Sequence, residues 1–277
     1  MDTPTRLSDY VGGVFKTISS RKGMKKAIDK GLVSVNGTVA GTGKFLSGGE
    51  KIILSSEKNK SDNPILKLQL EVCFENNHLA IIYKPPGILV SGNKKKTIAN
   101  ALAYNLTKSS ATDALTSPKP VHRLDFPTSG LLLIAKTHTS VIALNNLFEE
   151  RNVKKTYHAV TYGEMPLKGI ITTNVDEKDA FTEYKVLKTE PSERFSCLNL
   201  VELFPKTGRK HQLRVHLSSI GTPILGDKNY HKEGLLLKGK GLFLHASSLE
   251  FTDPITSKII SVTKDLPKKF RKIFPEN

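Results

Sequence analysis

Apolar positions follow two different rhythms along this chain. Behind Ser20, Met24, Ala27 and Ile28 recur at helical spacing, and Gly31 ends the run. Leu32 to Ala40 then alternates about an Asn36-Gly37 pair, the signature of a tight hairpin. Farther on, short apolar runs bounded by turn residues predict strands at Leu79–Tyr83, Leu131–Ala135, Tyr157–Tyr162 and Leu198–Phe204. Two helices are expected among them. Ser140 suits the cap of one, with Val141, Leu144, Leu147 and Phe148 on its apolar face. A Thr207-Gly208 turn precedes the other, on which Leu213 and Leu217 share a face while His211, Arg214 and Ser218 share another. Strands outnumber helices without alternating regularly with them. The expected fold is α+β: a mixed, largely antiparallel sheet with packed helices, plus a small α/β module at the N-terminus. The polar stretch 55–64 reads as a linker, dividing a module at 1–54 from a main domain at 65–277.

Composition narrows the function classes. The 277 residues suffice for one substantial core and a small satellite. Lysine and arginine number 42 against 26 acids, a net charge of +16, which points to a polyanionic partner, nucleic acid first. Lys16, Arg21, Lys22, Lys25, Lys26 and Lys30 crowd the first helix, and Lys94-Lys95-Lys96 and 268–272 extend the positive character. No apolar run is long enough to span a bilayer, and the first residues lack the apolar core of a secretion signal, so a cytoplasmic protein is expected. Cys73 and Cys197 have no metal-ligand spacing and read as buried free thiols. His122, His211, His216 and His245 lack metal-site spacing and read as loop-orienting or phosphate-donating groups; no metal is expected. No phosphate-binding glycine loop is present, which removes nucleotide hydrolysis and dinucleotide redox chemistry.

Residues 121–136 carry the most information. Asp125 stands between His122-Arg123 and a Pro-Thr-Ser-Gly turn that feeds the apolar run Leu131–Ala135, a rigid mounting for a carboxylate. The whole string resembles the His-Arg-Leu-Asp-x-x-Thr-Ser-Gly signature of RNA pseudouridine synthases of the RluA type. Other segments match the same family in order: Lys-Pro-Pro-Gly at 84–87, Lys-Thr-Tyr-His-Ala at 155–159, the stretch from Thr207 to Tyr230, and Leu-His-Ala-Ser-Ser-Leu-Glu-Phe at 244–251. Tyr83 and Asp253 depart from the family's usual Asn and His. The first fifty residues resemble the RNA-binding module named after the fourth small-subunit ribosomal protein.

The resemblance implies an isomerase that turns uridine into pseudouridine without a cofactor. It makes Asp125 the catalytic residue, Tyr157 a ring against the target base and Arg214 the partner of Asp125, with Leu244 in the pocket wall. A guanidinium forked on a carboxylate would hold it aimed. Arg123 is expected to fill the space left by the flipped base. Arg209, Lys210 and His211 are expected on RNA phosphates, as are Arg21, Lys22 and Lys25 of the basic helix. The expected partner is RNA, ribosomal RNA ahead of transfer RNA, and the expected state a monomer. A ribosome-assembly protein that binds RNA without catalysis is the alternative from another class.

Overall fold

The computed structural model describes residues 4–10, 14–15, 18, 20–55 and 65–275. Lys16 and all of the expected linker except Ser55 lie outside the described residues. The chain forms two compact units, residues 1–63 and 64–277.

The first unit runs β1 (Thr5–Arg6), α1 (Arg21–Asp29), β2 (Val33–Val35), β3 (Thr38–Val39), β4 (Phe45–Leu46) and β5 (Ile52–Leu54). Ser20 caps α1 by accepting the Gly23 N–H at 3.1 Å. Met24, Ala27 and Ile28 of α1 are buried with Leu7, Val33, Val35 and Leu46. The opposite helix face therefore carries Arg21, Lys22, Lys25 and Lys26 into solvent. Arg21 is paired there with Asp9 at 2.6 Å, while β2 and β3 form the expected hairpin.

The second unit contains β6 (Val72–Glu75), β7 (Leu79–Lys84), α2 (Ile98–Asn105), β8 (Ala114–Pro120), β9 (Ser129–Thr137), α3 (His138–Glu149) and β10 (Lys154–Tyr162). It continues with β11 (Lys168–Ile171), β12 (Thr182–Ser192), β13 (Ser196–Pro205), α4 (Gln212–Ser219), β14 (Leu244–Thr252), β15 (Ile259–Thr263) and α5 (Lys268–Arg271). Ten strands make one sheet, ordered β11-β12-β13-β10-β14-β9-β7-β6, with β15 on β14 and β8 on β9. Every pairing is antiparallel except β14 with β9, a parallel seam of two residue pairs, His245 with Ser129 and Ala246 with Gly130. The fold is α+β and mostly antiparallel, as the strand-rich pattern implied.

β9 explains its own sequence. Leu132 and Ile134 face the core under α2, while Leu131, Leu133 and Ala135 face the one under α3. A strand covered on both sides has no polar alternation to show, hence the continuous apolar run. Gly130 lets the seam close. Its φ is +127°, and a β-carbon there would collide with the backbone oxygen of Ala246. The expected Pro-Thr-Ser-Gly turn is thus shifted. The turn closes one step earlier, where the Thr128 N–H donates to the Asp125 carbonyl at 3.1 Å, and Ser129 and Gly130 already belong to β9.

Two further expectations are corrected. Thr137, not Ser140, caps α3, because β9 runs straight into the helix; Ser140 is its partner in a capping box. Cys73 and Cys197 are free but only half-buried, since one lies on the sheet's outer strand β6 and the other at the β12–β13 hairpin end.

Candidate active site

Asp125 leaves the turn between β8 and β9, and that turn is pinned from beneath. The ammonium of Lys84, wholly buried at the end of β7, donates to the carbonyls of Thr128 at 2.7 Å, Pro85 at 3.0 Å and Phe126 at 3.3 Å. Burial brings its pKa down to about 8, partly opposed by the charge of Asp125. On the other flank the Leu133 N–H donates to Nε2 of His122 at 2.9 Å, while the Val121 N–H donates to the Leu133 carbonyl at 3.2 Å. The His122 ring thus extends the sheet's hydrogen-bond ladder one residue past β8. Nε2 must be unprotonated to accept that bond, and burial pushes the pKa of His122 down to about 3.

Across from Asp125, α4 presents Arg214. Its NH1 lies 3.4 Å from Oδ2 of Asp125. The expected fork, however, is on Asp227: Nε donates to Oδ2 at 2.6 Å and NH2 to Oδ1 at 2.8 Å. Asp227 is buried behind Arg214, so it takes the two parallel bonds, and only the outer nitrogen reaches the cavity. Burial opposes the charge of Arg214, but the bonds and charge of Asp227, with Asp125, outweigh it and raise its pKa above the ordinary value.

Tyr230 braces the same cluster. Its ring lies under the guanidinium, 5.0 Å from centroid to Cζ; its hydroxyl bonds Nδ1 of His211 at 2.9 Å, and its carbonyl accepts from Ser218 at 3.1 Å. The helix face shared by His211, Arg214 and Ser218 therefore packs around one tyrosine. Nε2 of His211 lies 3.9 Å from Asp125, yet burial lowers the pKa of His211 despite Asp125, so this is a neutral contact rather than an ion pair.

Tyr157 reaches the site through a β-bulge between Thr156 and Tyr157 that re-aims the strand. Burial first, and the negative Asp125 second, hold its phenol well above the usual range. Leu244, at the start of β14, supplies the apolar wall. The rim segment 207–210 is held by Gln212, whose Oε1 accepts from Thr207 Oγ1 at 2.7 Å and Arg209 N at 3.0 Å.

Together these groups enclose a cavity of about 540 Å³. It joins Arg123, Asp125, Tyr157, Arg209, Lys210, His211, Arg214 and Leu244, all expected from sequence. Arg21, Lys22 and Lys25 are not among them and stand exposed on α1 of the first unit. Three of the four histidines are committed to hydrogen bonds within the fold. His216 and His245 are fully buried, the former bonded to Thr182 and Thr173, the latter to Ser129 at 3.0 Å, and His122 is committed to Leu133. Neither His216 nor His245 can meet a phosphate, while His122 borders the cavity. Lys84, Gln212, Asp227 and Tyr230 were missed as site residues, although all four lie inside the quoted motifs at 84–87 and 207–230.

Residues 78–219 match the family described as RNA pseudouridylate synthase. The chain is 31% identical, over all of its length and 98% of the relative, to ribosomal large subunit pseudouridine synthase C of Rickettsia felis. It is 34% identical, over 97% of its length and 92% of the relative, to ribosomal large subunit pseudouridine synthase D of Buchnera aphidicola. The solved structure of human RNA pseudouridylate synthase domain containing 4 superposes on 72% of this chain and 90% of its own with a TM-score of 0.58 at 26% identity. Family match, relatives and solved structure agree: the chain is an isomerase of the RNA pseudouridylate synthase family.

Proposed function

We propose that the chain isomerises uridines of large-subunit ribosomal RNA, with Asp125 as the acting group. The contact between Asp125 and the outer nitrogen of Arg214 carries this reading, because the inner nitrogens are immobilised on Asp227. Two similar relatives are named for the large ribosomal subunit, which favours that RNA.

The chemistry needs little else. The N1–C1′ bond of uridine breaks, a C5–C1′ bond forms, a proton leaves C5 and one is gained at N1. Nothing is oxidised and no atom is lost, so the reaction calls for no cofactor. Reaching a paired uridine means extruding it, at roughly a few kcal/mol. Arg123, exposed at the cavity mouth, is placed to stack in the vacated space. Asp125 then acts at the ribose or the base, as nucleophile or as proton acceptor. Tyr157 fits a ring packed on the uracil better than a base for C5, since burial and Asp125 disfavour its phenolate. Arg209 and Lys210 at the rim suit flanking phosphates. Lys22 and Lys25 of the first unit suit RNA phosphates, and Arg21 would first have to leave Asp9.

The test is carbodiimide-based mapping of pseudouridine in total RNA from cells lacking the protein, incubated with wild type or Asp125→Asn. New primer-extension stops with wild type alone are expected. Binding without any new stop in ribosomal RNA would overturn the proposal, and stops confined to transfer RNA would reassign the substrate.

A further inference from the structure

α3 ends in an unusual way. The Arg151 N–H donates to the Phe148 carbonyl at 3.3 Å and the Asn152 N–H to the Leu147 carbonyl at 2.8 Å, with Arg151 at a φ of +62°. This is the Schellman stop, whose left-handed residue is ordinarily glycine because a β-carbon is strained there. Here the position is held by an arginine, whose long side chain leaves the helix end. That side chain borders two cavities: the catalytic one and a neighbour of about 240 Å³ that shares Arg151, Lys155, Pro205 and Lys206 with it.

The charges at this junction are unbalanced. Lys206 is paired with Glu183 at 3.4 Å and Lys154 with Glu250 at 2.7 Å. The side chains of Arg151 and Lys155 have no hydrogen-bond acceptor or ion-pair partner among the described residues, and Glu149, which also borders the catalytic cavity, makes no ion pair with either. Lys155 precedes Tyr157 by two residues on β10 and is half-buried. Burial, and then the charge of Arg151, bring its pKa down to about 8. Two neighbouring cations without a counter-ion, one of them desolvated, are relieved by an anion.

We propose that Arg151 and Lys155 form a phosphate clamp that takes one backbone phosphate flanking the target uridine and leads the RNA strand from the catalytic cavity into the smaller one. This deepens, and rests on, the RNA-isomerase reading above. Pro205 and Phe204 in the smaller cavity offer an apolar surface for the neighbouring nucleotide.

The test is a binding cycle in the full chain carrying Asp125→Asn, so that no turnover intervenes. Ribosomal RNA fragments with a single uncharged methylphosphonate at successive positions serve as probes, against Arg151→Gly and Lys155→Met. Each variant should weaken binding roughly tenfold at low salt and reduce the slope of log affinity against log salt by about one. One methylphosphonate position should cost the parent a similar factor and cost the Lys155→Met protein less than about twofold. Arg151→Gly should melt no lower than its parent, because glycine suits the left-handed site, so lost binding cannot be blamed on lost folding. Full additivity of variant and methylphosphonate at every position would overturn the clamp. Wild-type turnover on unmodified RNA is scored separately. Its absence would sink the isomerase reading, while the binding cycle would still decide whether the two cations hold a phosphate.

Discussion

Around Asp125 the side chains close a ring: Asp125 to Arg214, Arg214 to Asp227 and Tyr230, Tyr230 to His211, and His211 back to Asp125. The ring makes Asp227 the structural counter-ion and leaves Asp125 the less constrained of the two acids. Asp227→Ala would strand a buried guanidinium. It should lower stability in urea by about 3–5 kcal/mol and abolish turnover. Arg214→Lys offers a point charge that cannot hold both carboxylates. Its single-turnover rate should fall by roughly a hundredfold or more, with RNA affinity changed only a few-fold. A third prediction concerns acid. Burial holds His122 and His245 at pKa values of about 3 and about 4, below their ordinary 6.5. Unfolding therefore takes up protons as the pH falls, so stability is complete above about 6.5 and declines toward 4. Urea midpoints across that window should show the decline, and His245→Asn should flatten it; equal slopes would assign acid lability elsewhere. Asp125, Tyr157 and Arg214 were legible in the sequence because contiguous motifs surround them. Asp227, Tyr230 and Lys84 lie in the quoted motifs too, but their partners are visible only in the fold: Lys84 supports a turn more than forty residues away.

Elements were read more easily than their junctions. Periodicity located β9, β10, β13, α1 and α4, since burial on one face or two writes itself into the spacing of apolar residues. It could not reveal that the strand ending at Thr137 hands over directly to α3, nor that Gly130 serves contact with Ala246 rather than a turn. Both points yield a test. Thr137→Ala removes one half of the capping box and should cost about 1 kcal/mol in urea, with turnover unchanged once folding is complete. Gly130→Ala meets backbone on the neighbouring strand while forced into a glycine-only conformation. A thermal midpoint within a few degrees of wild type would show that the two strands separate more readily than their packing implies.

For the whole molecule, charge and topology set the terms of action. The net charge of +16 is carried in part by a helix whose exposed side is basic, so RNA engagement should be strongly salt-dependent. Lys22→Glu together with Lys25→Glu should raise the RNA concentration needed for half-maximal rate, with a shallower salt dependence; an unchanged salt slope would remove α1 from the RNA-binding surface. The central sheet carries a further lesson. Asp125, Arg123 and Lys84 belong to the side of β9, whereas Tyr157, Arg214, Asp227 and Leu244 belong to the side of β14, and only two residue pairs stitch the strands together. A molecule in which this seam has not formed would hold the proposed site in two separate halves. With the proposed site, isomerisation waits on completion of the sheet, and catalytic output doubles as a report on the protein's own maturation.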